Sequence, residues 1–121
     1  MLKTMDKQRS LGDRGEDLAA VLLKKQGYKI MERNYRTPLG EIDLIARHGK
    51  VLVFIEVKTR ASARFGAGQE AVHYGKQARY RKLAEYYLKQ NRLGEIAVRF
   101  DVVGILWQDG KPQVEVIEGA F

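Results

Sequence analysis

Asp43, Glu56 and Lys58 are ionisable residues set inside two otherwise largely apolar runs, Gly40-Glu41-Ile42-Asp43-Leu44-Ile45-Ala46 and Val51-Leu52-Val53-Phe54-Ile55-Glu56-Val57-Lys58-Thr59-Arg60. Rich in Val, Ile, Leu and Phe, each run reads as a strand with much of its surface buried. Arg47-His48-Gly49-Lys50 between them supplies the glycine of a tight hairpin. Strand alternation projects Glu56 and Lys58 from one face, and antiparallel pairing brings Asp43 beside Glu56. Charged groups in apolar strands are costly unless paired or metal-bound, and that cost marks a candidate site. Carboxylate oxygens are hard ligands suited to Mg²⁺ or Mn²⁺. Such an ion polarises a phosphoryl oxygen, and a nearby lysine steadies the developing charge or the attacking water. The set therefore reads as machinery for phosphodiester hydrolysis. His48 sits in the turn, His73 has no evident partner, and there is no phosphate-binding loop or dinucleotide-binding glycine pattern to suggest a rival chemistry.

The elements that must position these residues follow from periodicity. Ser10, with Asp13 three residues on, resembles a helix cap, and a helix is expected over Leu11–Gln26, closed by Gly27, with Leu11, Leu18, Leu22, Ala19 and Val21 as its apolar face. Gly12 and Gly15 each weaken it by up to about 1 kcal/mol relative to Ala, which suggests close approach of another backbone or a ligand. Glu16 on that helix has two readings, a metal or water ligand and a partner for the helix dipole. Tyr28–Arg36 reads as a strand that bends near Arg33, followed by a turn at Thr37-Pro38-Leu39-Gly40. Along Val51–Arg60, Leu52, Phe54, Glu56 and Lys58 share one face and Val51, Val53, Ile55 and Val57 the other, so helices are expected over both. Without metal, Lys58 is the expected partner of Glu56. Thr59–Gln69 reads as a loop at the rim of the site. A second long helix is expected over Glu70–Asn91, with Tyr80, Leu83, Ala84, Tyr87 and Leu88 buried. Lys76 falls on or beside that stripe; it either contacts phosphate or a site carboxylate, or lays its stem over the core. Ile96–Trp107 and Gln113–Ile117 read as the last strands, with Arg99 and Asp101 on one face and free to pair with each other.

Composition sets the outer limits. The 121 residues suit a single domain, 1–121, and the absence of cysteine excludes disulfides and thiolate metal sites. No apolar run approaches a membrane span, and Met1–Ser10 lacks the apolar core of a signal peptide, so a cytoplasmic protein with no membrane partner is expected. Residues 57–92 hold nine Lys and Arg against two acidic residues, a net charge of +7 that equals that of the whole chain, whereas residues 93–121 carry −3. This basic stretch favours a polyanion such as nucleic acid, with Arg60, Arg64, Lys76, Arg79 and Lys82 as candidate phosphate contacts; its alternative is a solvated helix face.

The succession Gly12-x-x-Gly15-Glu16, Gly40-Glu41-Ile42-Asp43-Leu44-Ile45, Phe54-Ile55-Glu56-Val57-Lys58-Thr59-Arg60, Lys76 and Arg99-Phe100-Asp101 resembles the YraN-like family of small bacterial proteins. That family is similar to the PD-(D/E)XK nucleases, archaeal Holliday-junction resolvases among them. The resemblance implies an α/β restriction-endonuclease-like fold, a mixed sheet flanked by helices. It also implies Asp43 and Glu56 as ligands of Mg²⁺ or Mn²⁺, Lys58 as the catalytic lysine and Glu16 as the helix-borne acid near the metal. Ile42 stands where the superfamily name has proline. The expected activity is metal-dependent endonucleolytic hydrolysis of branched or structured DNA, for which a two-fold homodimer would suit a symmetric four-way junction. The alternative is a nucleic-acid-binding module that keeps the fold without cleaving.

Overall fold

The computed structural model describes residues 10–61 and 74–121. Helix α1 (Leu11–Lys25) is followed by strands β1 (Tyr28–Thr37), β2 (Gly40–His48) and β3 (Val51–Arg60), helix α2 (Tyr74–Gln90), and strands β4 (Val98–Gln108) and β5 (Lys111–Ile117). The sheet runs β1-β2-β3-β4-β5 and is mixed, with β3 and β4 parallel and the other neighbours antiparallel. Parallel neighbours need a crossover, and α2 lies within it. Pro112 sits on β5, the edge strand, where its missing N–H is tolerated. Among the described residues no helix is long and apolar enough to cross a membrane.

Both faces of β3 are covered, as its two apolar rows require. Val53 and Ile55 pack with Leu44, Ala46, Val103 and Ile105 under Ala19 and Leu23 of α1. Leu52 and Phe54 pack on the opposite face with Ile42, Ile45 and Phe100, under Tyr80, Leu83, Ala84 and Tyr87 of α2. The buried stripe of α2 is thus the expected one. The portion of the expected helix over residues 70–73 lies outside the described residues, as does Arg64.

Helix α1 departs from expectation in the face it buries. Gly15, Ala19, Ala20 and Leu23 are buried, whereas Val21 is about half exposed. Small residues one turn apart let the helix close on the sheet: a Cβ built on Gly15 collides with the Thr59 hydroxyl of β3. Gly12, by contrast, has nothing nearer than Ser10 Oγ at 3.7 Å among the described residues, so of the close approaches inferred from both glycines these residues show the one at Gly15. Ser10 caps the helix as expected, its Oγ accepting from Asp13 N–H at 3.0 Å.

Strand β1 carries two irregularities on either side of Arg33. Its register with β2 shifts between Ile30 and Glu32, and Asn34 adopts a left-handed φ of 51°. The β2–β3 hairpin closes through Gly49-Lys50, with Gly49 at φ 64°.

The two glycines of α1 give a paired prediction. Gly15→Ala should destabilise the protein by about 1–3 kcal/mol, because α1 must lift from Thr59. Gly12→Ala should be neutral or stabilise by up to about 1 kcal/mol. Urea denaturation of both variants checks this, and equal effects would contradict the close approach at Gly15.

Candidate active site

The site lies where β2 and β3 part. Their ladder runs from His48↔Val51 to Leu44↔Ile55 and ends there, while β2 continues beside β1 to Gly40 and β3 continues beside β4 to Arg60. Side-chain alternation slips at the same point: Leu44 and Ala46 face α1, Ile45 faces α2, and Ile42 also packs on the α2 side. Asp43, at the slip, takes over from the missing ladder, its Oδ2 accepting from Val57 N–H at 2.8 Å. The bond fastens the Asp43 carboxylate to β3 at the residue after Glu56.

Tyr80 of α2 reaches the same fork. Its hydroxyl donates to Ile55 C=O at 3.3 Å and accepts from Asp43 N–H at 3.4 Å, bridging the parting strands. The sequence shows Tyr80 only as part of a helical stripe; nothing in that spacing distinguishes a phenol that bonds the sheet from one that merely fills the core. Asn34 was missed for the same reason. It stands across from Asp43 in the β1–β2 register, and its Nδ2 donates to Glu16 Oε1 at 2.7 Å. Glu16 thereby stays at the Asp43 side of the fork, although α1 belongs to the other face of the sheet.

Glu56 is buried, and its partner corrects the expectation from sequence. Lys76 Nζ of α2, rather than Lys58, stands 2.9 Å from Glu56 Oε2. Same-face neighbours on a strand project in parallel, whereas Lys76 comes down onto Glu56 from the helix above. The oxygen is an ion-pair partner without a well-directed hydrogen bond. Lys58 and Lys76 lie close enough to act on each other. Burial first, then the nearby Lys76, holds the Lys58 amine below the usual lysine range. Burial opposes the charge on Lys76 as well, but its contacts with Glu56 and Lys58 keep it above that range.

Asp43 shows how much negative charge the fork concentrates. Burial, reinforced by the charges of Glu16 and Glu56, pushes its carboxyl up to about 7, against the opposing pull of the Val57 N–H and Lys76. Among the described residues no three His, Cys, Asp or Glu side chains gather closely enough to hold a metal ion by themselves. Two carboxylates nevertheless suit Mg²⁺ or Mn²⁺, which keep several waters and take few protein ligands. Asp43, raised by burial and by its neighbours' charge, and Glu56 Oε2, lacking a directed hydrogen bond, are the donors with most to gain from a cation.

Beside the fork, Leu39 at the tip of the β1–β2 hairpin faces Gly75, Ala78, Arg79 and Lys82 of α2 across a cleft of about 310 Å³. Two of the expected phosphate contacts, Arg79 and Lys82, thus share one cleft. Arg60 ends β3, beyond Lys58 on the same arm of the fork.

A mixed sheet with a helix on each face, forked at paired carboxylates and followed by a lysine, is consistent with a restriction-endonuclease-like fold. Residues 15–105 match the uncharacterised protein family UPF0102, and the chain belongs to that family. The matched span contains Glu16, Asp43, Glu56, Lys58 and Lys76. A UPF0102 protein of Moorella thermoacetica is 51% identical, with 98% of this chain and 99% of the relative covered. One of Syntrophotalea carbinolica is 46% identical over 93% of this chain and 91% of its own length. One of Syntrophus aciditrophicus is 42% identical over 100% and 95%. The family is the one that the motifs resemble.

The raised Asp43 carboxyl sets the sign of a stability test. A carboxyl that titrates higher folded than unfolded contributes stability fully present below about pH 4 and lost as pH rises through about 7. With chelator present, Asp43→Asn should therefore stabilise the protein at pH 8, by about 2–4 kcal/mol, and the gain should shrink as pH falls toward 4. Thermal melts across that range check it; a loss of stability at pH 8 would mean that the charged carboxylate is structurally required.

Proposed function

We propose that this chain is a metal-dependent endonuclease hydrolysing phosphodiester bonds of branched or structured DNA. The observation that carries the reading is the fork itself. It fastens the Asp43 carboxylate next to Glu56 and leaves Lys58 on the same arm, in a setting where ordinary strand pairing would have cost less. Asp43 and Glu56 would hold Mg²⁺ or Mn²⁺, which supplies Lewis acidity toward a phosphoryl oxygen and a stronger water nucleophile.

The chain's own residues have the following parts in this reading. Asp43 is oriented by the Val57 N–H, and Tyr80 keeps β2 and β3 at a fixed separation. Lys58, whose amine is held below its usual range, is suited to accept a proton from the attacking water or to donate to the phosphorane-like oxygens as charge develops. Glu16, tied by Asn34, adds negative potential on the far side of Asp43. Arg79 and Lys82 would hold the backbone of the nucleic acid along the cleft, and Arg60 and Arg64 remain further candidate phosphate contacts by sequence.

A second reading, a nucleic-acid-binding module without cleavage, is favoured by one observation: Glu56 is already neutralised by Lys76.

Cleavage assays on duplex, flap and four-way-junction DNA with Mg²⁺ or Mn²⁺ separate the two. The nuclease reading expects cuts that Glu56→Gln and Lys58→Ala each reduce by 100-fold or more, on the order of 3 kcal/mol of transition-state stabilisation. Glu56→Gln should keep DNA binding and lose no stability in metal-free buffer. Binding without cleavage by the parent protein would support the module. Unfolding of Glu56→Gln would mark the Lys76 pair as structural.

A further inference from the structure

The Lys76–Glu56 ion pair is a contact that opposes a cation site, since it places a positive charge against a carboxylate needed as ligand. We infer that Lys76 is a displaceable counter-ion: its ammonium stands beside Glu56 until the phosphate backbone of a nucleic acid draws it away. Asp43 and Glu56 then bind a divalent cation tightly only in the presence of substrate. This inference rests on the nuclease reading above and deepens it.

Four features support the exchange. The Lys76 side chain is 29% exposed and that of Glu56 7%, so the ammonium reaches inward from the solvent side and has a way out. The pair has no well-directed hydrogen bond at Oε2, and lysine is a point charge on a flexible stem, so little geometry is lost when it leaves. Arg79, one turn further along α2, lines the cleft with Lys82, so a phosphate docked there lies within a turn of Lys76. Finally, Lys58 stays behind when Lys76 leaves, so the fork keeps one lysine for chemistry while its carboxylates lose a competitor.

The consequence is reciprocal. If nucleic acid raises cation affinity by releasing Glu56, the cation must raise nucleic-acid affinity by the same factor. Such coupling would keep the fork free of metal away from substrate and limit idle hydrolysis. It also explains how one structure can carry both a nuclease-type residue set and a neutralised Glu56.

The test is Mn²⁺ binding to the full chain without nucleic acid, read by electron paramagnetic resonance of free Mn²⁺. Lys76→Met should bind Mn²⁺ about 10- to 100-fold more tightly than the parent, the size of effect that groups contacting metal ligands commonly exert. Lys76→Arg, which keeps the charge, should stay near the parent, and adding Asp43→Asn to Lys76→Met should remove the tight site. Equal affinity of the parent and Lys76→Met, with both tight, would overturn the counter-ion role and leave the nuclease reading intact. No specific Mn²⁺ binding by either protein, each shown folded by circular dichroism, would overturn both. Should Lys76→Met fail to fold, the parent decides: a phosphodiester junction should raise its Mn²⁺ affinity beyond the DNA's own binding, and a neutral methylphosphonate junction should not. No difference between the two junctions would overturn the inference.

Discussion

The hydrogen bond from Val57 N–H to the Asp43 carboxylate is the contact on which the site's geometry depends. A β ladder that ends inside a sheet leaves buried backbone groups in need of partners. Here a side chain provides one of them, and the Tyr80 hydroxyl serves Asp43 N–H and Ile55 C=O in the same gap. Had pairing continued beyond Leu44↔Ile55, Glu56 and Lys58 would have been sealed between β2 and β4 and α2. By parting, the strands open a fork to which α1 contributes Glu16 and α2 contributes Lys76.

A comparison within the molecule separates a buried charge whose demands are met from one whose demands are not. On the α1 face of the sheet, beside Ile55 in the β3–β4 register, Asp101 is fully buried, yet it accepts four hydrogen bonds: two from Arg99, at 2.8 and 2.9 Å, one from the Tyr28 hydroxyl at 2.8 Å and one from Gly119 N–H at 3.0 Å. Arg99 also contacts Glu118 and His48 Nδ1, and His48 stacks on Tyr28. Every demand of that carboxylate is met, as expected of a cluster that anchors the chain after β5 to β4. The fork is the opposite case. Its Asp43 carboxyl is raised by burial first and by neighbouring negative charge after it, and Glu56 Oε2 lacks a directed hydrogen bond. Perturbed groups of this kind cluster at functional sites, which is what makes the fork the candidate.

What the sequence shows and what it hides divide along the range of the interactions. The β2–β3 hairpin, the stripe of α2 and the shared face of Glu56 and Lys58 are local, set by alternation, helical period and one turn glycine, and they are legible. So is the Arg99–Asp101 pair, two residues apart on one face. The Lys76–Glu56 pair is legible only as one of several readings of Lys76, because the choice depends on how far α2 sits along the sheet, which no spacing encodes. The expected face of α1 includes Ala19, which is buried, but leans toward the large residues Leu22 and Val21; close packing adds Gly15 and Ala20, and the bare Gly15 lets the helix reach Thr59. Tyr80 and Asn34 act through single polar atoms that periodicity treats as ordinary core and ordinary strand.

The most direct measurement is the location of Mn²⁺ by anomalous scattering in crystals grown with the ion and a short DNA junction, using the Lys58→Ala variant to keep the DNA intact. The account predicts a peak coordinated by carboxylate oxygens of both Asp43 and Glu56, with the Lys76 ammonium moved from Glu56 to a phosphate. Crystals containing the DNA but no peak in the fork, with Lys76 still paired to Glu56, would contradict it.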